Sequence, residues 1–270
     1  MLKDITLGQF FPGSSLLHRL DPRAKLVAVV LFVVSLFISS SFWGYALCFL
    51  FLAWCVYISR ISPKMILKSL RPLVIILIFT GVLNMLYTPG EAIFHFWIFN
   101  ITKEGIFNAA FMIFRIVLLI AATSMLTYTT SPIALTDALE RLLGPLKKLR
   151  VPVHEFAMMM TIALRFIPTL IEETDKIMSA QKARGADFDS GSLIDRAKAL
   201  VPILVPLFVS AFRRADELAT AMECRLYHGG EGRTRLNTLV MAPRDWGALA
   251  FMAAFCLLVM NAQRIAAVVL

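Results

Sequence analysis

None of the 13 glycines in this chain is followed by lysine, so the G-x-x-x-x-G-K-[ST] phosphate loop cannot occur. G-x-S-x-G and H-E-x-x-H are missing as well, which removes the commonest serine-hydrolase and zinc-protease signatures. Cysteine is scarce: Cys48, Cys55 and Cys256 fall in apolar runs and Cys224 stands apart, with neither a paired framework nor zinc spacing. His18, His95, His154 and His228 are scattered, so neither a metal nor a cofactor of its own is expected. With no catalytic constellation to read, the chain is not expected to be an enzyme. Charge is also short, at 17% of 270 residues against 59% hydrophobic, and the mean hydropathy is +0.75. That balance excludes a water-soluble domain.

What the chain has instead is apolar length. Crossing a hydrocarbon core of about 30 Å takes about 20 apolar residues, and five segments reach or approach this. They are Leu26–Phe42, Trp43–Ile58, Pro72–Tyr87, Ile106–Tyr128 and Trp246–Ile265, the second and third being short. The first follows Arg19, Asp21, Arg23 and Lys25 without a small-residue cleavage site, so it is expected to be retained rather than removed as a signal peptide. Asp21-Pro22-Arg23 reads as a turn and interface anchor. Arg60, Lys64, Lys68 and Arg71 lie between the second and third spans without an acid, whereas the uncharged Ser39-Ser40-Ser41 joins the first two. The third connection, with Glu91, His95, Lys103 and Glu104, has little net charge, and only Arg264 lies near the far end. The positive-inside rule then puts the N-terminus, the second connection and the stretch from Ser131 to Arg244 in the cytoplasm, and the C-terminus outside. Topology accounts for most of the +9 charge. The expected partner is therefore the lipid bilayer and not nucleic acid, for which no motif is present. The predicted fold is an all-α membrane protein: residues 1–130 with four spans, 131–244 a cytoplasmic helical region, and 245–270 a final span.

The cytoplasmic region reads as three helices. Ser131-Pro132 opens the first, about Ile133 to Leu143, and Gly144-Pro145 ends it. Pro152 precedes the second, about Val153 to Arg184, with Gly185 as its stop, and the third runs from about Ser192 to Arg225. Pro168, Pro202 and Pro206 fall inside and should bend the axes. Both long helices carry apolar residues on a seven-residue spacing and end on an arginine triplet, Ala183-Arg184-Gly185 and Cys224-Arg225-Leu226. One seam is Met160, Ala163, Ile167, Leu170, Thr174, Ile177 and Gln181; the other is Val201, Leu204, Phe208, Ala211, Ala215, Leu218 and Met222. At an offset of 41, Asp175 matches Asp216, Ala180 matches Ala221 and Arg184 matches Arg225, so the helices read as copies whose seams meet. Two equivalent tips suggest two equivalent receivers. The apolar content exceeds what a hairpin in water needs and should meet headgroups, the spans or another membrane protein. It also suits a further span, against which Arg165, Glu172 and Glu173 stand in one run and Arg196, Lys198, Arg213 and Arg214 around the other.

Three runs carry a family resemblance: Phe11-Pro12-Gly13-Ser14-Ser15-Leu16-Leu17-His18-Arg19-Leu20-Asp21-Pro22-Arg23-Ala24-Lys25-Leu26, Leu164-Arg165-Phe166-Ile167-Pro168-Thr169-Leu170, and Ala180-Gln181-Lys182-Ala183-Arg184-Gly185. In this order, with spans between them, they closely resemble the transmembrane T component of energy-coupling factor transporters. The resemblance covers essentially the whole chain. It implies a non-catalytic coupling subunit that joins two ABC-type ATPases, EcfA and EcfA′, to a small substrate-binding membrane protein, the S component. ATP and Mg would be bound by those ATPases, not here. It further implies that the long helices form a crossed pair of coupling helices whose tips dock in grooves of the ATPases, with Ala183, Arg184, Gly185, Cys224, Arg225 and Leu226 as the docking residues. Cys224 and Leu226 depart from the plain Ala-Arg-Gly pattern, which bears on the fit of the third position. The stretch Tyr227-His228-Gly229-Gly230-Glu231-Gly232-Arg233-Thr234-Arg235 resembles T components shared among several vitamin-specific S components.

Arg115, near the middle of the fourth span, is an expensive charge there, at about 2.5–3.5 kcal/mol on insertion scales. It reads either as a contact for the S component or as a bundle-interior residue with a partner such as Asn84. The leading expectation is vitamin or micronutrient uptake. The alternatives are the T component of a dedicated cobalt or nickel system, and a membrane scaffold or stand-alone carrier.

Overall fold

The computed structural model describes residues 10–39, 41–89, 92–96, 99–186, 188, 192–229 and 239–269. Ser40 and Gly230–Arg235 lie outside the described residues. The α-helices are α1 (Pro22–Ile38), α2 (Phe42–Ser59), α3 (Pro63–Leu70), α4 (Val74–Tyr87), α5 (Lys103–Thr129), α6 (Pro132–Leu142), α7 (Val153–Ala183), α8 (Leu193–Glu223) and α9 (Pro243–Val269). A short antiparallel hairpin, β1 (Ala92–Phe96) and β2 (Phe99–Thr102), joins α4 to α5, with His95 opposite Asn100. The chain divides into two compact units, Gly8–Ala138 with Leu239–Leu270, and Leu139–Thr238.

Apart from that hairpin, the first unit is an all-α membrane bundle. Its core joins Phe32 and Leu36 of α1, Tyr45, Cys48 and Leu52 of α2, Leu118, Ala121, Ala122 and Met125 of α5, and Met252, Cys256 and Val259 of α9. Phe51 stacks on Phe255 with centroids 4.6 Å apart. Outside this core the helices turn large apolar side chains outward, among them Phe49, Leu50, Trp54, Ile75, Ile76, Phe79, Leu257 and Leu258. Water would not tolerate that surface; lipid tails would. Among the described residues, five helical stretches are long and apolar enough to cross a membrane: Phe42–Ser59, Pro63–Tyr87, Lys103–Thr129, Val153–Ala183 and Pro243–Ala262. The stretch Val153–Ala183 is the least apolar, with a mean hydropathy of 1.2 against 1.6 to 2.2 for the others. The helix α1, with 17 residues, spans only about 26 Å.

The third expected span needs correction. Instead of starting at Pro72 it begins at Pro63, because Arg71–Leu73 forms a single 3-10 turn that carries α3 into α4. Proline is harmless at the start of such a turn, where its missing N–H is not needed. Lys64, Lys68 and Arg71 therefore sit on helix and not in a loop. Ser124 donates to Ser69 (3.1 Å) and Tyr128 donates to the Met65 carbonyl (3.3 Å), holding α3 along α5. At the other end of this pair, Gly105 lets the chains close, since a Cβ there would lie 2.9 Å from the Met85 carbonyl.

Four charged side chains lock three helix ends together. Asp21 caps α1 by accepting from the Arg23 N–H at 2.8 Å, and the Arg23 guanidinium grips the same carboxylate at 3.0 Å while donating to the Leu239 carbonyl at 2.9 Å. Lys25 donates to the Thr129 carbonyl (2.9 Å) and the Thr130 hydroxyl (3.3 Å), closing the C-terminus of α5. Asp245, 1% exposed, accepts from the backbone N–H of Asp21 (2.9 Å) and of Ala242 (2.8 Å), tying α9 to α1. The turn expected at Asp21-Pro22-Arg23 is thus a junction of α1, α5 and α9. Just before it, the two ring nitrogens of His18 bond Ser15 and the Phe11 carbonyl, at 2.7 and 3.0 Å. Burial pushes the His18 pKa below its ordinary value; the Phe11 carbonyl opposes this and the nearby Lys25 charge adds to it.

Candidate functional site

The second unit carries both arginine triplets. Its helices start and stop where the local chemistry requires. Ser192 caps α8 in a reciprocal capping box with Asp195. At the end of α7, Gly185 takes a left-handed backbone (φ 89°), with its N–H on the Lys182 carbonyl and the Ala186 N–H on the Gln181 carbonyl, both 3.0 Å. At the end of α8, Leu226 takes the same left-handed form (φ 56°), with its N–H on Glu223 (2.9 Å) and the Tyr227 N–H on Met222 (3.1 Å). These are two copies of one Schellman closure, bond for bond, at the same offset of 41 positions. The departure from glycine at Leu226 thus leaves the backbone shape intact, at about 1 kcal/mol for a side chain in that conformation.

Arg184 and Arg225 occupy equivalent places in the two closures and both are exposed. Neither guanidinium has a side-chain partner among the described residues, so ten N–H donors stand free at two negative helix ends. Cys224 is an exposed free thiol beside Arg225.

The helices α7 and α8 lie antiparallel. Gln181 donates to the Pro202 carbonyl (3.4 Å), Glu173 meets Ser210 and Arg214 (2.8 Å to the latter), and the Tyr227 hydroxyl reaches the Met158 sulfur (3.0 Å). The arginine tips therefore point to opposite ends of the pair. Each lies eleven residues beyond the Glu173–Arg214 contact, about 17 Å along its helix. At the start of α7, His154 bonds Glu140 of α6 at 2.9 Å. Pro168, Pro202 and Pro206 all lie within continuous helix.

The seam expected on α8 holds only in part: Ala211, Leu218 and Met222 are half-buried, but its N-terminal half is turned outward. Val201, Leu204 and Phe208 are 52%, 46% and 60% exposed, while Ile203 and Ser210 are buried and Leu207 and Arg214 half-buried against α7. On α7 the expected Ile167, Leu170, Thr174, Ile177 and Gln181 are half-buried, whereas Met160 and Ala163 are exposed. Sequence reading missed Glu173, Ser210 and Arg214 as an interhelix cluster. The signal was available: Glu173 and Arg214 are matched positions of the repeat and carry opposite charges.

Arg115 lies in the membrane bundle. Its Nε donates to the Tyr45 hydroxyl (2.7 Å), one terminal nitrogen donates to the Ser39 carbonyl (3.3 Å), and the guanidinium sits over the Phe37 and Tyr45 rings. Its partners are thus Tyr45 and Ser39, not Asn84, whose amide donates to the Thr80 carbonyl instead. Among the described residues no cluster of three or more His, Cys, Asp or Glu could hold a metal.

A family model described as cobalt transport protein matches residues 13–236, which include the N-terminal motif from Gly13 onward and both arginine closures. The chain is 56% identical over 239 residues to the energy-coupling factor transporter transmembrane protein EcfT of Ruminiclostridium cellulolyticum, covering 88% of this chain and 90% of that one. The chain belongs to the EcfT family. The EcfT proteins of Heliobacterium modesticaldum (56% over 246 residues; 91% of this chain, 92% of that one) and Bacillus subtilis (51% over 246; 91% and 93%) match along the same length. As an EcfT-family chain it is a multi-pass membrane component of an energy-coupling factor transporter, and the two arginine closures and their helices lie inside the matched region.

Proposed function

We propose that this chain couples ATP hydrolysis in two ABC-type ATPase subunits to uptake through a substrate-binding S component. Arg184 with Ala183 and Gly185 docks one ATPase, and Arg225 with Cys224 and Leu226 docks the other. The observation that carries this is the duplicated closure: two matched arginine-bearing tips, each closed by the same pair of Schellman bonds, at opposite ends of one helix pair. One groove cannot accept both tips, whereas two equivalent subunits can. An arginine fork at a helix C-terminus suits carboxylates and backbone carbonyls of a receiving groove. When the ATPases close on ATP, the distance between their grooves changes, and α7 and α8 must slide past one another to follow. ATP and Mg belong to the ATPases in this scheme.

The exposed apolar face of α8, with Val201, Leu204, Val205, Phe208, Val209 and Phe212, supports a further protein contact, which we assign to the S component. Arg115, held by Tyr45 and Ser39, supports the bundle-interior role over a direct S-component contact. Vitamins or related micronutrients are the substrate class. The cobalt named by the family model supports a dedicated cobalt or nickel system as the second reading. Native mass spectrometry of the complex purified from its host tests all of this. Two ATPases and an S-type protein bound to one copy are expected, and the S protein's ligand separates vitamin from metal. A lone chain that transports by itself, or shows an ATP-dependent thermal shift, would overturn the reading in favour of a carrier or an enzyme.

The proposed orientation is N-terminus and arginine closures cytoplasmic, C-terminus outside. Although α7 is long enough to cross a membrane, it carries Arg165, Glu172, Glu173 and Asp175 within eleven residues, a poor fit to a hydrocarbon core. Single cysteines in a cysteine-free background should label from outside at Ser40 and His95, and only from inside at Lys64 and Gly185. Outside labelling at Gly185 would invert the topology.

A further inference from the structure

Glu173 is the one α7 side chain that makes directional, charge-assisted contact with α8 among the described residues. Its carboxylate accepts from the Ser210 hydroxyl and from the Arg214 guanidinium, the latter at 2.8 Å. All three groups are buried or half-buried. In two like helices packed antiparallel about an approximate two-fold, only positions next to the axis meet their own counterparts. Glu173 and Arg214 are counterparts at the offset of 41, and they do meet, whereas Gln181 meets Pro202 and Met158 meets Tyr227. At such a position identical charges would repel, and here the pair is of opposite sign. The neighbouring counterparts Glu172 and Arg213 are not joined this way: Arg213 instead lies 3.9 Å from Glu217 on its own helix, both widely exposed.

We propose that Glu173, Ser210 and Arg214 form the pivot about which α7 and α8 move. This inference rests on the coupling reading, and it assigns these residues a positioning role rather than a docking one. Two features suit them to it. The arms are equal, eleven residues on either side, so a displacement of one arginine tip is returned at the other without change of scale. The guanidinium also has room to re-pair, because the Arg214 Nε is buried without a hydrogen-bond partner, giving the carboxylate a second seat on the same fork. The other described contacts are the neutral hydrogen bonds Gln181–Pro202 and Tyr227–Met158 and apolar packing through Ile203 and Leu207, which hold the helices less directionally than the ion pair does.

The test places spin labels at Lys182 and Glu223, which are exposed, are counterparts in the repeat and flank the arginines. The full chain, with its native cysteines replaced, is held in lipid nanodiscs, and the label-to-label distance distribution is measured. Glu173→Ala and Arg214→Ala should each broaden the distribution, Ser210→Ala should broaden it less, and the exchange Glu173→Arg with Arg214→Glu should restore the wild-type width. In the assembled transporter the two single variants should still bind both ATPases. They should lower transport per ATP hydrolysed by at least about twofold, as coupled neighbours do, with recovery in the exchange. Wild-type widths in both single variants, or an exchange no narrower than the singles, would overturn the pivot. Because the distances are read on this chain alone, they decide the pivot even where co-purification goes against the coupling reading.

Discussion

With Arg184 and Arg225 both changed to glutamate, the chain is expected to insert into the membrane normally and to lose its ATPases. Each substitution reverses a charge at a tip that has no partner of its own among the described residues, so little internal structure depends on either side chain. In the complex the consequence is large. Truncating one partner of a hydrogen-bonded charge pair in a desolvated contact costs about 2–5 kcal/mol, and a reversal adds repulsion. Either single change should therefore weaken the complex by at least about 30-fold at the lower end of that range, and the double change should leave no complex to purify. Glutamate at Arg233 or Arg235, beyond the closure, is the control and should be much milder. Pull-down of the ATPases on the tagged chain and uptake in membrane vesicles measure the effect. Normal co-purification and transport by the double variant would reduce the arginines to helix caps.

Replacing Asp245 by alanine is expected to produce the largest loss of stability in the membrane bundle. The carboxylate is almost fully buried and accepts from two backbone N–H groups, one of them at the cap of α1. Each donor left without a partner costs about 1–3 kcal/mol, so a loss of about 2–4 kcal/mol follows, partly relieved by water reaching the half-buried Ala242 end. The melting temperature in detergent should fall by on the order of 5–10 °C. Asp245→Asn, which keeps one acceptor oxygen, should fall less. A melting curve unchanged in the alanine variant would show that α1 and α9 are held by their apolar contact alone.

The parts of this molecule that rest on near-neighbour chemistry could be read from residues in order. Pro152, Gly185 and Ser192 marked both ends of α7 and the start of α8 to within a residue, because caps are set within one turn. The arginine triplets and their offset needed only a comparison of the chain with itself. Four of the five expected spans were legible as apolar length, with one end wrong. Arg71-Pro72 was read as a break, but proline at the head of a 3-10 turn let the helix axis continue.

Phase and partnership were a different matter. Because α8 is apolar around much of its circumference, Val201, Leu204 and Phe208 make as good a stripe as Ile203 and Leu207, and spacing alone does not choose between them. The choice was made across the pair: the half-buried Glu173 carboxylate is satisfied by Ser210 and Arg214, and turning that face inward leaves the other outside. Asp245 and Asp21 lie 224 positions apart, and nothing local in either marks the other. The sequence by itself determined the membrane class, the limits of α7 and the two matched arginine ends, since these rest on composition and on contacts within a turn. Only the tertiary structure decided which face of α8 is buried, which helix ends are locked together and that the two tips point apart, because each depends on a polar group finding a partner far away in the chain.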